Sequence, residues 1–192
     1  MSLTAKTLLG VAAAALFLLG LGAAPFGDPP EGFHAAVARD MLRVGDWITP
    51  QVDGVRYFDK PPLFYWLLAC ALPPPPVRTR RGPGGWLSGR GPGDVLVHEA
   101  PLENSGAWLM ELDHPVKVVD GLVSNLAFGA TFPEARDTFW DAARLESAWT
   151  GKQRVFLLTG KRPDGSVVRQ LPPGSVRLLQ QGGGRWLYAN RP

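Results

Sequence analysis

Val55-Arg56-Tyr57-Phe58-Asp59-Lys60-Pro61-Pro62, followed by an apolar run from Leu63 to Leu72, sets a charged turn directly against a greasy segment. Val55 to Phe58 has the β-branched and aromatic composition of a short extended piece. Asp53-Gly54 before it supplies a tight turn, and Asp46 to Pro50 reads as the extended piece on the other side of that turn. The double proline then opens a new element, since proline fixes φ and is tolerated in the first helical turn. The run that follows has only ten residues and is too short to span a bilayer, which takes about 20.

Upstream, Asp28-Pro29-Pro30-Glu31 has the form of a helix start, with an acceptor at the N-cap, proline at the first helical position and Glu at the capping-box position. Phe33, Val37, Met41 and Val44 follow at helical spacing and Gly45 provides the stop. An amphipathic helix over 29–44, lying just outside a membrane, is the expectation. Further toward the N-terminus, Thr7 to Phe26 are 20 residues without a charge, about 30 Å as a helix and enough to cross a bilayer. Lys6, the Leu/Ala-rich core and the small residues Gly22, Ala23 and Ala24 also suit a cleavable leader. Either way the chain is brought to a membrane.

Downstream, Pro and Gly make up 12 of the 21 residues from Pro73 to Gly93, without a repeat period, which reads as a disordered linker. The same stretch carries Arg78, Arg80, Arg81 and Arg90, and without those four the chain has 16 basic residues against 17 acidic. The net charge of +3 is therefore local, with no basic face interleaved with aromatics, and nucleic acid is not an expected partner. Cys70 is the single cysteine, which excludes an internal disulfide and a multi-cysteine zinc site. No cofactor is expected, and a divalent metal is left open.

From Asp94 to Pro192, strand-like and helix-like segments alternate as in a small α/β domain. Val95 to His98, Val116 to Val119 and Arg154 to Thr159 are of strand type, and Ser105 to Leu112 and Asp141 to Trp149 are of helix type. Val176 to Gln180 and Arg185 to Asn190 flank Gly182-Gly183-Gly184 as a β-hairpin, because Trp186-Leu187-Tyr188 favours a strand where a phosphate loop would need a helix. His98-Glu99, Glu103, Asn104 and Ser105 contain an acid, a base and a nucleophile, but at a spacing that corresponds to no triad. The fold class expected is thus membrane-anchored α+β: a transmembrane helix in 1–26, an extracytoplasmic loop with an interfacial helix in 27–72, a disordered linker in 73–93 and a small α/β domain in 94–192.

Ala38-Arg39-Asp40-Met41-Leu42, Gly45-Asp46-Trp47, Pro50, Gly54 and Tyr57 to Leu63 resemble the first extracytoplasmic loop of glycosyltransferase family 39. That family includes the protein O-mannosyltransferases and the lipid A aminoarabinose transferases. Glu103 to Gly106, Leu126 to Gly129 and Trp186 to Asn190 look similar to the soluble tail of its bacterial members. The resemblance implies a bacterial-type inner membrane location, an extracytoplasmic C-terminal domain and a polyprenyl-phosphate-linked sugar as substrate. It also implies an Asp-Glu pair at the head of the loop, the Asp being the catalytic base, and a lysine on the lipid phosphate. Carried over, Glu31 matches the Glu and Lys60 the lysine, with Tyr57 as a further substrate contact. Pro30 stands in the place of the Asp, and Asp28 is the alternative carboxylate.

Family members have many more membrane helices between the two similar blocks, and 73–93 offers none, so the resemblance implies an internally shortened chain. Two functions follow. One is sugar transfer from a polyprenyl-phosphate donor to a lipid or protein acceptor, with Glu31 or Asp28 as base and Lys60 on phosphate. The other is a non-catalytic, membrane-tethered binding protein, which needs no cavity for a lipid tail.

Overall fold

A computed structural model describes residues 3–18, 30–72, 86–87, 90–112, 115–123 and 125–192. Its centre is a six-stranded sheet built from β3 (Val95–Glu99), β4 (Lys117–Val119), β5 (Phe139–Trp140), β6 (Val155–Thr159), β7 (Arg177–Gly182) and β8 (Arg185–Ala189), in spatial order β5-β4-β3-β6-β8-β7. The four strands from β5 to β6 are parallel, and β8 and β7 add antiparallel to β6. The central strand β6 is a continuous apolar run because both faces of the sheet are covered there, whereas the edge strand β7 is exposed. Phe156, Leu158, Leu187 and Ala189 point into one core, and Val155, Leu157 and Tyr188 into a second. The expected hairpin forms around Gly183-Gly184, whose φ values of 57° and 72° suit a two-residue hairpin turn.

One layer over the second core is α6 (Ala142–Thr150), which buries Leu145 and Trp149 and is capped by Asp141 accepting from the Arg144 N–H at 2.7 Å. The opposite layer comes largely from outside 94–192. It contains α2 (Pro30–Val44) and α3 (Pro62–Ala71) together with α4 (Gly106–Glu111), and Phe33, Val37, Met41, Tyr57 and Tyr65 share one core with Leu96, Leu102, Leu109 and Leu126. The two blocks are therefore one packed unit. Two glycines mark the closest approaches between them. A β-carbon on Gly106 would overlap the Phe33 backbone, and one on Gly129, at the end of α5 (Leu126–Gly129), would overlap the Arg56 carbonyl.

That packing buries more of the expected helix over 29–44 than its apolar spacing indicates. Phe33, Val37 and Met41 are buried as the spacing indicates, but so are Ala35, Ala36 and Ala38 on the other flanks, while Val44 is exposed. The helix ends as anticipated, with Gly45 at φ 77° and its N–H on the Met41 carbonyl at 2.9 Å. Asp46 to Pro50 is not a strand. Asp46 Oδ1 accepts from the Ile48 and Thr49 N–H groups at 3.0 Å each, which closes a turn instead. The short hairpin is β1 (Gln51–Val52) with β2 (Val55–Arg56), joined by Asp53-Gly54 with φ values of 50° and 77°.

At the N-terminus α1 (Leu3–Leu18) has 16 residues, about 24 Å long at 1.5 Å per residue. The rest of the expected span, 19–26, lies outside the described residues, as do Asp28 and residues 73–85 and 88–89 of the expected linker. Among the described residues no helix is long and apolar enough to cross a membrane. Leu87, near the end of that linker segment, is buried in the first core with Trp86 packed against it.

A polar knot ties the blocks at one corner. Arg39 sets Nε and Nη2 on Asp40 Oδ1 at 2.9 and 2.8 Å and its Nη1 on the Leu109 carbonyl at 2.6 Å. Asp40 Oδ2 accepts from the Asp53 N–H at 3.0 Å, and Asp53 Oδ2 accepts from the Val116 N–H at 3.3 Å. Loss of hydration, and then the Asp40 charge, push the Asp53 carboxyl from 3.8 up to about 7. The folded chain thus binds a proton more tightly than the unfolded one, so stability is greatest at low pH in this window and falls as pH rises from about 4 to about 7. Asp53→Asn keeps an acceptor for Val116 and tolerates the left-handed backbone. It is expected to raise the thermal midpoint at pH 8 and to leave it unchanged at pH 4, as melts at the two pH values will check.

Candidate functional site

The strand β2 delivers the Tyr57-Phe58-Asp59-Lys60 turn to the surface, and Pro61-Pro62 redirects the chain into α3. The Tyr57 N–H bonds the Pro50 carbonyl at 2.8 Å, and the Tyr57 ring is buried edge-on against Phe33, centroids 4.9 Å apart. Burial pushes its hydroxyl up to about 12, with the side chains of Asn125 and Asp59 beside it. Asp59 accepts from Asn125 Nδ2 at 2.8 Å and pairs with Lys60 Nζ at 3.1 Å. Lys60 itself is 47% exposed, so its ammonium retains water and is open to an anion from outside.

Beneath this turn, His34 of α2 is half-buried among the rings of Tyr57, Phe64 and Tyr65, with Nδ1 3.4 Å from the Tyr65 hydroxyl. Burial lowers its pKa, the nearby Asp59 charge raises it, and Lys60 lowers it again. Around the turn, Trp47, Ile48, Phe58, Leu63, Trp66 and Phe128 are exposed apolar side chains. Trp66 is held by a 2.6 Å bond from its Nε1 to the Trp47 carbonyl, and Phe58 meets Phe128 edge-on at 5.8 Å. A cation among exposed indoles and aliphatics suits the water–lipid boundary, where amphipathic rings and snorkelling lysines collect.

Of the residues singled out in the sequence, Lys60 and Tyr57 come together. Glu31 is exposed in the first turn of α2, three residues and so one helical turn from His34. Pro30 begins that helix and brings no carboxylate, and Asp28 lies outside the described residues. Sequence reading passed over three members of the group. Asp59 stood inside the quoted motif as a mere neighbour of Lys60, and His34 reads from the sequence as a plain interfacial histidine. Asn125, 66 positions from Asp59, had no local signal at all.

Elsewhere His98 and Glu99 sit at the carboxyl end of β3, both buried. Burial, and then the Arg185 charge, bring the imidazole down to about 3, so it is neutral at ordinary pH. Glu99 accepts from the Ser166 hydroxyl at 2.5 Å and the Val167 N–H at 2.9 Å, and Lys161 pairs with both Glu99 and Asp120. An open cleft of about 670 Å³ lies over this network. Each charge in the network has its partner, so it ties the loops after β3, β4 and β6 together. Among the described residues no group of three or more His, Cys, Asp or Glu side chains is placed to hold a metal ion.

No protein-family model matches the chain. Over 53 residues it is 45% identical to the undecaprenyl phosphate-alpha-4-amino-4-deoxy-L-arabinose arabinosyl transferase of Pseudomonas savastanoi pv. phaseolicola, covering 28% of this chain and 10% of that relative. The enzyme of the same name from Pectobacterium carotovorum subsp. carotovorum is 44% identical over 62 residues, or 32% of this chain and 11% of that relative. The chain thus spans about a tenth of the length of these curated relatives. Among solved structures, ArnT from Cupriavidus metallidurans bound to undecaprenyl phosphate aligns at a TM-score of 0.43 and 19% identity, over 56% of this chain and 19% of that one.

Proposed function

We propose, for a chain that over part of its length is a relative of the polyprenyl-phosphate-sugar transferases of glycosyltransferase family 39, that it binds the phosphate of a polyprenyl carrier at a membrane surface and does not transfer sugar on its own. The observation that carries this reading is the contrast between Lys60, exposed in its motif, and Pro30, which stands where the resemblance calls for the base.

Transfer requires the acceptor hydroxyl to lose its proton as its oxygen bonds to the anomeric carbon, while the carrier phosphate leaves with the electron pair of the broken bond. A proline side chain accepts no proton, so the position that the resemblance gives to the base cannot serve as one, while Glu31 stands one residue further on in the first turn of α2. Phosphate binding asks for less. The Lys60 ammonium supplies charge and donors, and the exposed side chains of α3 and of Trp47 and Ile48 offer apolar contact to lipid. On this reading the surface around Lys60 faces the outer side of a bacterial-type inner membrane, the side on which the domain from 94 to 192 also lies.

The test uses the full chain in detergent micelles with undecaprenyl phosphate, and with phosphate-free undecaprenol as control. Lys60→Ala is expected to weaken binding of the phosphate about tenfold, the loss of one charge-assisted contact, and to leave undecaprenol unaffected. With a labelled polyprenyl-phosphate sugar, no sugar release is expected. Turnover, or undiminished affinity in Lys60→Ala, would overturn the reading.

A further inference from the structure

Asn125 occupies the position before α5 where asparagine ordinarily caps a helix, yet its side chain makes no cap hydrogen bond. It reaches instead across to the other block and donates Nδ2 to Asp59 Oδ1 at 2.8 Å, with the Tyr57 hydroxyl also beside it. Asp59 Oδ2 is the oxygen paired with Lys60. The position of Asn125 is fixed by its short helix. Gly129 brings α5 so close to the Arg56 carbonyl that a β-carbon would overlap it, and Arg56 is the residue that precedes Tyr57. The edge-to-face cluster of Phe58, Phe128 and Phe132 closes the same contact, with centroids 5.8 Å apart for Phe58 and Phe128 and 5.4 Å for Phe128 and Phe132.

This chain of contacts addresses a difficulty in the site. A carboxylate 3.1 Å from Lys60 competes with any phosphate for the same ammonium and repels the anion directly. The Asn125 amide donates to Asp59 Oδ1, shares the carboxylate's charge and holds it to one side, so that only Oδ2 meets the lysine. We infer that Asn125 is a positioning residue for anion binding at Lys60: it pins Asp59 to the side, so that the ammonium presents its remaining N–H donors outward to a phosphate headgroup. The inference rests on the phosphate-binding reading and adds to it a residue from the block that lacks the lysine.

The experiment measures binding of undecaprenyl phosphate and of inorganic phosphate by the full chain in detergent, with thermal midpoints, for Asn125→Ala, Asn125→Asp, Lys60→Ala and the Asn125→Ala/Lys60→Ala double variant. Asn125→Ala is expected to weaken undecaprenyl phosphate about five- to tenfold, the scale of a hydrogen bond to a charged group, with undecaprenol unaffected. Asn125→Asp, nearly identical in shape, is expected to weaken it further by adding a second negative charge, and the double variant to bind no worse than Lys60→Ala alone. Inorganic phosphate showing the same order marks the anion as the determinant, whereas an effect confined to the lipid places it in the headgroup together with the apolar surface. If Lys60→Ala weakens binding while Asn125→Ala and Asn125→Asp bind as the wild type does, the inference is wrong and the phosphate-binding reading stands. If Lys60→Ala binds normally, both fall. A purely structural role for Asn125 would lower the midpoint of Asn125→Ala and Asn125→Asp alike and leave their affinities equal, which also contradicts the inference.

Discussion

Gly106→Ala is expected to lower the stability of the whole chain by more than about 3 kcal/mol, or a thermal midpoint drop of about 10 °C. Gly106 opens α4 where that helix crosses α2, and an added methyl group would meet the Phe33 nitrogen, the Gly32 carbonyl carbon and the Phe33 Cα, all backbone atoms. Side chains can rotate away from such an overlap, but a helix backbone cannot. The two helices would have to separate, and the separation would let water reach Phe33, Val37, Leu102 and Leu109, all buried in the wild type. Gly93→Ala is the matched control. No atom lies within 4 Å of a β-carbon there, so its effect is expected to stay within about 0.5 kcal/mol. Equal midpoints for the two variants would mean that α2 and α4 do not touch.

Arg39→Met is expected to cost about 3 kcal/mol, the price of leaving a buried carboxylate with only the more distant, partly exposed Arg43 at 4.0 Å. The Arg39 and Asp40 side chains are 7% and 11% exposed, so neither charge is stabilised by water once the other is gone. The change also removes the donor to the Leu109 and Leu112 carbonyls near the end of α4, at 2.6 and 3.3 Å. Arg39→Met/Asp40→Asn is expected to recover part of the loss, since the amide removes the weakly compensated charge while keeping an oxygen for the Asp53 N–H. Urea titration of both variants checks this. In the single variant the Asp53 carboxyl should move up further, because Arg39 is among the charges that hold it down.

The sheet was legible in the sequence to a useful degree. Val95 to Val97 and Val155 to Leu158 are continuous apolar runs because each strand is covered on both faces, and Gly183-Gly184 fixes the hairpin turn. The two-residue strand β5 was not legible, since Phe139-Trp140 is too short to show any period. The shared core between the blocks escaped for a different reason. A stripe of Phe33, Val37 and Met41 implies one buried face, whereas the small residues Ala35, Ala36 and Ala38 on the remaining faces are what let neighbouring elements approach α2 closely. Small residues carry little hydrophobic signal, so the pattern looked like a surface helix. In the site, the Tyr57 to Lys60 motif was readable as a unit, but Asn125 reaches it only through the fold.

Residues 30–72 and 94–192 form one cooperative structure that holds the Lys60 turn in place. Native-state hydrogen exchange on the full chain in detergent tests this most directly. Amides of α2 from Ala38 to Val44 are expected to open with the same free energy, within about 1 kcal/mol, and the same denaturant dependence as those of β3 and β6. Exchange of α2 through a separate, lower-energy opening while β3 and β6 stay protected would contradict it.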